Sequence, residues 1–94
     1  MPPTDPNADD AMTAQQHSVR NRNEIEDSHL CGCFHCATTF RPAAIIGWRS
    51  DGPGPRPDTA RCPNCGIDTV IGSASGLPIT EAFLKKVRKH WFRR

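Results

Sequence analysis

Long apolar runs are missing from this sequence of 94 residues. The longest, residues 43–46, is far shorter than the roughly 18–20 residues that cross a bilayer as a helix. Basic residues are also missing before Arg20, and no segment there has the length of a signal-peptide core. We therefore expect a cytoplasmic protein with no membrane partner. The short chain excludes a multidomain protein and leaves room for one small domain.

Charge divides the chain into two unequal parts. Residues 1–27 carry six acidic side chains against two arginines, a net charge of −4, and only two large aliphatic residues, Val19 and Ile25. So little apolar surface does not offset about 1–2 kcal/mol of backbone entropy per ordered residue, and residues 1–27 are predicted to form a disordered acidic tail. Residues 28–94 have a net charge of +6 and are predicted to form the folded domain, onto which the tail folds back by charge attraction.

The cysteines form the strongest pattern in the sequence. Four of them make two C-x2-C pairs, Cys33 with Cys36 and Cys62 with Cys65. Each pair turns two thiolates to one side of a tight knuckle, and two facing knuckles complete a tetrahedral set of four sulfur ligands. We therefore predict one structural zinc ion per chain, held by these four cysteines. Iron is the alternative, because tetrahedral thiolate sites suit both metals.

Other cysteine chemistry fits this pattern less well. A disulfide framework is disfavoured in a chain expected in the cytoplasm, and a thioredoxin-like C-x-x-C would use one pair only. The fifth cysteine, Cys31, is predicted to be a small buried apolar side chain, with a reactive thiol as the alternative. His29 and His35 are predicted not to bind the metal, since four thiolates are better spaced.

The elements predicted around the cysteines define a small metal-stapled α+β fold with two knuckle hairpins. Pro42, in a first-turn position, is predicted to begin a short helix that extends to Trp48. Thr80 is predicted to cap a C-terminal amphipathic helix, with Ile79 and Leu84 as a hydrophobic staple. Four short strands are predicted to flank the knuckles: residues 30–32, 38–40, 59–61 and 67–71.

The predicted C-terminal helix has two faces. Its apolar stripe is expected to pack on the metal-bearing domain and consists of Phe83, Leu84, Val87 and Trp91. Its opposite, basic face consists of Lys85, Lys86, Lys89 and Arg93. Glu81 is the only acid in the segment, so these cations are expected to have little to pair with. We predict that the basic face binds the phosphates of a nucleic acid, with a merely solvated surface as the alternative.

Four motifs occur together in residues 31–92: CGCFHC, FRPAAIIGW, CPNCGIDTVIG and HWF. In this combination the chain resembles a family of small, uncharacterised bacterial cytoplasmic proteins with a zinc-ribbon signature. The resemblance covers about two-thirds of the chain and omits the acidic tail. It implies a zinc-ribbon fold and a cytoplasmic location. It leaves the function open, because no activity is attached to the family.

The opposed knuckles, with C-P-x-C-G at residues 62–66, also resemble those of rubredoxins more weakly. There four thiolates hold one iron ion for electron transfer. The basic body, Ala37 in place of a glycine after the first knuckle, and the cationic C-terminal helix depart from that family.

Catalysis would need a cluster of reactive polar side chains, and the candidates are few: Asp68, Ser73, Ser75 and His90. Four cysteine ligands close the zinc shell and leave no position for water. We therefore predict a non-enzymatic, structural-zinc binding module without a small-molecule substrate. Nucleic acid is the predicted partner, and a protein–protein adaptor and a rubredoxin-like iron electron carrier are the alternatives.

Overall fold

The structure is a computed structural model and describes residues 8–92. This range folds as a small α+β unit, in agreement with the predicted class, and none of its helices is both long and apolar enough to cross a membrane. Its helices are α1 (Ala8–Gln16), α2 (Arg22–Glu26) and α3 (Glu81–Trp91). Its strands are β1 (Cys31–Cys33), β2 (Thr39–Phe40), β3 (Trp48–Arg49), β4 (Thr59–Ala60) and β5 (Val70–Gly72).

The strands form two small antiparallel sheets. One has the order β2-β1-β5, and the other pairs β3 with β4. The first knuckle, residues 33–36, joins β1 to β2 and so lies in a hairpin, as predicted. The second knuckle, residues 62–65, lies between β4 and β5, which belong to different sheets. The prediction of a second knuckle hairpin is therefore wrong, because β5 pairs with β1 across the fold.

Strand β1 is the centre of the larger sheet, and all three of its residues are buried. Helix α3 approaches this strand at Gly32, where an added Cβ would lie 2.7 Å from Cδ1 of Leu84. No real Cβ tolerates that distance from a packed side chain. A glycine at this position therefore lets α3 lie directly on the sheet.

Two apolar clusters hold the elements together. The first joins α1 and α3 to the sheet and consists of Ala11, Ala14, Phe34, Ala37, Ile71, Phe83, Leu84 and Val87. The second surrounds the knuckles and consists of Ile25, Cys31, Cys33, Ile45, Ala60, Cys62 and Val70. The knuckles are thus embedded in one of the two cores of the described chain.

The predicted helix between Pro42 and Trp48 is present only as a 3₁₀ turn over Pro42–Ala44. The backbone becomes extended at Ile45, and Trp48 pairs with Ala60 in β3 and β4. Pairing with β4 satisfies backbone groups that a three-residue turn cannot satisfy internally, so tertiary structure overrides the local pattern. Ile45 and Trp48 still pack with the cysteine cluster, as predicted.

Helix α3 begins where the sequence places it. The side chain of Thr80 accepts a hydrogen bond of 3.1 Å from the amide of Phe83, which confirms the predicted N-cap. The first three residues of the predicted apolar stripe are buried. Trp91 differs, because it is 37% exposed and its indole Nε1 donates to the carbonyl oxygen of Ala11 at 2.9 Å.

The described part of the predicted disordered tail, residues 8–27, is folded. Helix α1 packs against α3 through Ala11 and Ala14, both fully buried, and α2 buries Ile25. The prediction of disorder is wrong here because it counted large aliphatic residues, whereas small alanines let two helices approach closely and bury surface at little cost in side-chain entropy. Residues 1–7 of the predicted tail lie outside the described residues.

Ion pairs join the acidic segment to the basic part of the chain. A carboxylate oxygen of Asp10 lies 2.7 Å from Nζ of Lys86, and one of Glu26 lies 3.1 Å from a guanidinium nitrogen of Arg56. These pairs are partly or largely exposed, so each adds little stability by itself. They nevertheless remove Lys86 and Arg56 from the set of unpaired basic side chains.

Asn21 attaches the N-terminal segment to the rest of the fold. Its Nδ2 donates to the carbonyl oxygens of His17 and Val70, at 2.9 and 2.7 Å. Its Oδ1 accepts from the amide of Ala60 at 3.1 Å. The side chain is buried, so its loss would leave two backbone groups of the core without partners.

We predict that Asn21→Ala lowers the free energy of unfolding by about 2–4 kcal/mol, because buried backbone groups lose their hydrogen bonds. Asn23→Ala is the matched control, since Asn23 is exposed on α2. Urea denaturation of both variants measures the difference. Equal stability of the two variants would mean that the hydrogen bonds of Asn21 do not stabilise the fold.

Candidate metal centre

The structure brings the four predicted ligands together. The Sγ atoms of Cys33, Cys36, Cys62 and Cys65 all lie within 4.8 Å of one another. Across the knuckles, Cys33 Sγ lies 3.7 Å from Cys65 Sγ, and Cys36 Sγ lies 3.6 Å from Cys62 Sγ. A tetrahedral zinc site with bonds of about 2.3 Å requires sulfur atoms about 3.8 Å apart. The four cysteines therefore fit one tetrahedral metal ion.

A disulfide does not account for this arrangement. All five cysteines are free thiols. The sulfur separations across the knuckles are well above the roughly 2.05 Å of a disulfide bond. The four sulfurs form one compact set, which a thioredoxin-like pair would not need.

The two knuckles repeat one backbone pattern. The amides of Ala37 and Gly66 donate to the carbonyl oxygens of Cys33 and Cys62, at 2.8 and 2.9 Å. Each cysteine that opens a knuckle also donates its own amide to the carbonyl five residues later, at 3.0 and 2.9 Å. The same two-thiol turn thus occurs twice, and the two turns face each other.

The residue after each knuckle has left-handed backbone geometry. Gly66 has φ +79°, which glycine adopts without strain. Ala37 has φ 60° at the equivalent position of the first knuckle. An alanine there carries a steric cost, which the hydrogen bond of its amide to Cys33 and its burial offset. The departure from glycine noted in the sequence therefore does not change the shape of the knuckle.

Hydrogen-bond donors surround the sulfur atoms. The amides of His35 and Asn64, equivalent positions in the two knuckles, donate to Cys33 and Cys62, each at 3.3 Å. The Thr69 hydroxyl lies 3.0 Å from Cys33 Sγ. A thiolate can only accept hydrogen bonds, so in a metal-bound state these groups all donate to sulfur and stabilise its negative charge.

The thiols differ in acidity. Burial raises the pKa of Cys33 far above its ordinary value, although hydrogen bonds from Thr69 oppose the rise. Burial also acts to raise the pKa of Cys36, but hydrogen bonds from the Thr38 and Asn64 side chains outweigh it and lower that pKa to about 6. A central cation removes the cost of burying several thiolates, so metal binding to this set releases protons.

Cys31 and the two histidines are not part of the sulfur cluster. Cys31 is fully buried, and burial raises the pKa of its thiol to about 11, which confirms its prediction as a small apolar core residue. His29 is exposed. The His35 ring makes an edge contact with Phe92, with centroids 4.8 Å apart, so it is this residue's amide that meets the metal site.

Three of the four candidate catalytic side chains take part in local hydrogen bonds. Asp68 accepts a hydrogen bond from Arg49 at 2.7 Å, beside the second knuckle. The Ser73 hydroxyl accepts from the amide of His29, and the Ser75 hydroxyl donates to the carbonyl of Gly72.

The predicted basic face is divided by its ion pairs. Lys85 lies 2.6 Å from Glu81, and Lys86 lies 2.7 Å from Asp10. The expectation that these lysines have little to pair with is therefore wrong. Sequence reasoning missed Asp10 because it placed that residue in a disordered tail. Lys89 forms no ion pair within residues 8–92, and Arg93 lies outside the described residues.

An open groove lies beside the first knuckle. It has a volume of about 720 Å³ and is lined by His35, Lys85, Arg88, Lys89 and Phe92. Lys86 is absent from this lining because it extends towards α1. Arg88 was not among the predicted binding residues. Its spacing of three residues from Lys85 could have identified it, since such residues share one side of a helix.

No known protein family, curated protein or solved structure matches this chain. The resemblance to zinc-ribbon proteins and the weaker one to rubredoxins therefore stay predictions from the motifs.

We predict that Thr69→Val lowers the affinity for Zn²⁺ by about tenfold, because a buried thiolate loses its hydroxyl donor while side-chain volume is kept. Thr39→Val is the matched control, since Thr39 is exposed on β2. Competition with a chromophoric chelator measures both affinities. Equal affinities would show that the Thr69 hydroxyl does not support the site.

Proposed function

We propose that this protein is a non-enzymatic zinc-binding module that binds nucleic acid. The observation that carries the metal assignment is the pair of matching knuckles, whose sulfur atoms lie 3.6 and 3.7 Å apart across the site. Zinc is proposed over iron because two features depart from the rubredoxin pattern: the positive net charge of residues 28–94 and the cationic C-terminal helix. A reducing cytoplasm would keep the five thiols free, and we place the protein there.

The metal has a structural role in this proposal. The first knuckle belongs to the β2-β1-β5 sheet, and the second follows β4 of the other sheet. A bound ion therefore joins parts of the chain that short strands alone hold weakly. An apolar core of a domain this small supplies only about 3–5 kcal/mol, whereas structural zinc sites contribute about 10–16 kcal/mol of apparent binding energy.

The donor set also argues against catalysis at the metal. Four cysteines fill a tetrahedral shell and leave no open position for a substrate or water. The one acidic side chain among the candidate catalytic residues, Asp68, is engaged by Arg49. The proposed role of the ion is therefore to hold the binding surface in shape.

We predict that native mass spectrometry of the untagged protein shows one zinc ion per chain. Cys62→Ser should lose the ion and lower the Tm by roughly 15 °C or more, because several kcal/mol of binding energy are lost. Cys31→Ala is the matched control and should keep the ion, since Cys31 lies outside the sulfur cluster. A red protein with one iron and a reversible one-electron couple would instead support the rubredoxin-like alternative.

The proposed nucleic-acid surface is the groove beside the first knuckle. Arg88 and Lys89 form no ion pair within residues 8–92, and only Lys85 of its cations is paired. Phosphate groups bind such unpaired cations with release of counterions, which makes binding depend steeply on salt. The groove thus replaces the continuous basic face predicted from the sequence.

We predict that Arg88→Ala/Lys89→Ala weakens binding of labelled oligonucleotides at low salt and reduces the slope of log K against log salt by about 0.7–0.9 per lost phosphate contact. Lys86→Ala is the matched control, because Lys86 lies on the same helix but pairs with Asp10. Titrations by fluorescence anisotropy measure all three proteins. If every variant binds like the wild type, or none binds, the nucleic-acid role is wrong and a protein partner becomes the leading hypothesis.

A further inference from the structure

Phe92 lines two cavities. One is the cationic groove described above. The other is a pocket of about 310 Å³, lined by Gln15, Ser18, Val19, Phe34, Asp68, Thr69, Trp91 and Phe92. A ligand with a phosphate in the groove would therefore place its next chemical group against the aromatic ring. A nucleotide has this construction, a phosphate joined through a sugar to a flat base.

The groove presents its cations from one side of α3. Lys85, Arg88 and Lys89 are spaced by three and four residues, so their side chains emerge together. Glu81 is the acid that neutralises part of this charge, through Lys85 at 2.6 Å. Two cations remain available for phosphate oxygens, and the guanidinium of Arg88 can bind two of them at once.

The ring of Phe92 is held in place yet remains accessible. It is 37% exposed. The His35 ring meets it edge to face at 4.8 Å between centroids, and the buried Phe34 ring lies 6.4 Å away. Because these neighbours already order the ring, a base can stack on it with little further loss of side-chain entropy. Trp91, also partly exposed, borders the same pocket.

One polar side chain that lines the pocket, Gln15, is free to form hydrogen bonds with the edge of a base. The Ser18 hydroxyl donates to the carbonyl of Gln15, and the Thr69 hydroxyl is bound to Cys33. Asp68 is engaged by Arg49. The exposed amide of Gln15 makes no hydrogen bond within residues 8–92. It offers both a donor and an acceptor, the combination that base edges present.

We propose that this site binds single-stranded nucleic acid, with a phosphate on Arg88 and Lys89 and an unpaired base stacked on Phe92. The inference rests on the proposed nucleic-acid function and specifies the form of the ligand. In a duplex the bases are stacked on one another and cannot reach the ring, so a duplex would contact only the cations. A free nucleotide has the same phosphate and base chemistry, but it can make only the contacts of a single nucleotide, whereas a strand can make contacts through several.

The test uses zinc-loaded full-length protein and a labelled 12-nucleotide DNA strand, alone and annealed to its complement, at low salt. The wild type should bind the single strand at least tenfold more tightly than the duplex. Phe92→Leu should weaken single-strand binding by about tenfold, because the stacking face is lost while Arg88 and Lys89 remain. Phe92→Trp should retain single-strand binding. Tryptophan fluorescence of the wild type should be quenched by the single strand as a base approaches Trp91.

Zinc content and circular dichroism establish that each variant is folded. Equal binding of the single strand by wild type and Phe92→Leu would overturn the stacking proposal, and so would equal affinity of the wild type for single strand and duplex. In both cases phosphate binding, and with it the proposed function, would stand. Adenosine monophosphate binding as tightly as the 12-nucleotide strand would overturn the assignment to a strand. Binding of neither DNA form would overturn the inference and the proposed function together.

Discussion

The meeting of two cysteine knuckles is the constraint on which the rest of this structure depends. Neither sheet is large, and the β3–β4 ladder pairs only two residues on each strand. The knuckles bring the ends of β1 and β4 together, and the second apolar cluster forms around their sulfur atoms. The shared turn geometry directs backbone amides at Cys33 and Cys62, where they stabilise the negative charge of thiolates.

The first knuckle also connects the metal site to the surface. His35 lies in the knuckle, donates its amide to Cys33, and places its ring against Phe92 at the end of α3. Helix α3 in turn presents Arg88 and Lys89 to the groove. His35 thus touches both the sulfur cluster and the end of the helix. The proposed binding surface lies directly beside the candidate metal site, on a helix that the first apolar cluster holds against the sheet.

The N-terminal segment has a second role besides completing the core. Helix α1 buries Ala11 and Ala14 against α3 and pairs Asp10 with Lys86. This contact directs Lys86 away from the groove that Lys85, Arg88 and Lys89 share. Ion pairing with this acidic segment therefore removes one cation of α3 from those available to a ligand in the groove. It also supplies Gln15 to the pocket beyond Phe92.

The sequence by itself determined the four cysteines, the buried Cys31, the N-cap at Thr80 and the apolar side of α3, because each depends on spacing within a few residues or on side-chain chemistry. Only the tertiary structure decided the strand status of Trp48, the folding of residues 8–27 and the division of the basic face. The extended backbone at Trp48 depends on pairing with Ala60. The attachment of the N-terminal segment depends on the hydrogen bond from Asn21 to the carbonyl of Val70, and the direction of Lys86 depends on the carboxylate of Asp10. These partners are distant along the chain, and local patterns carry no information about which distant groups will meet.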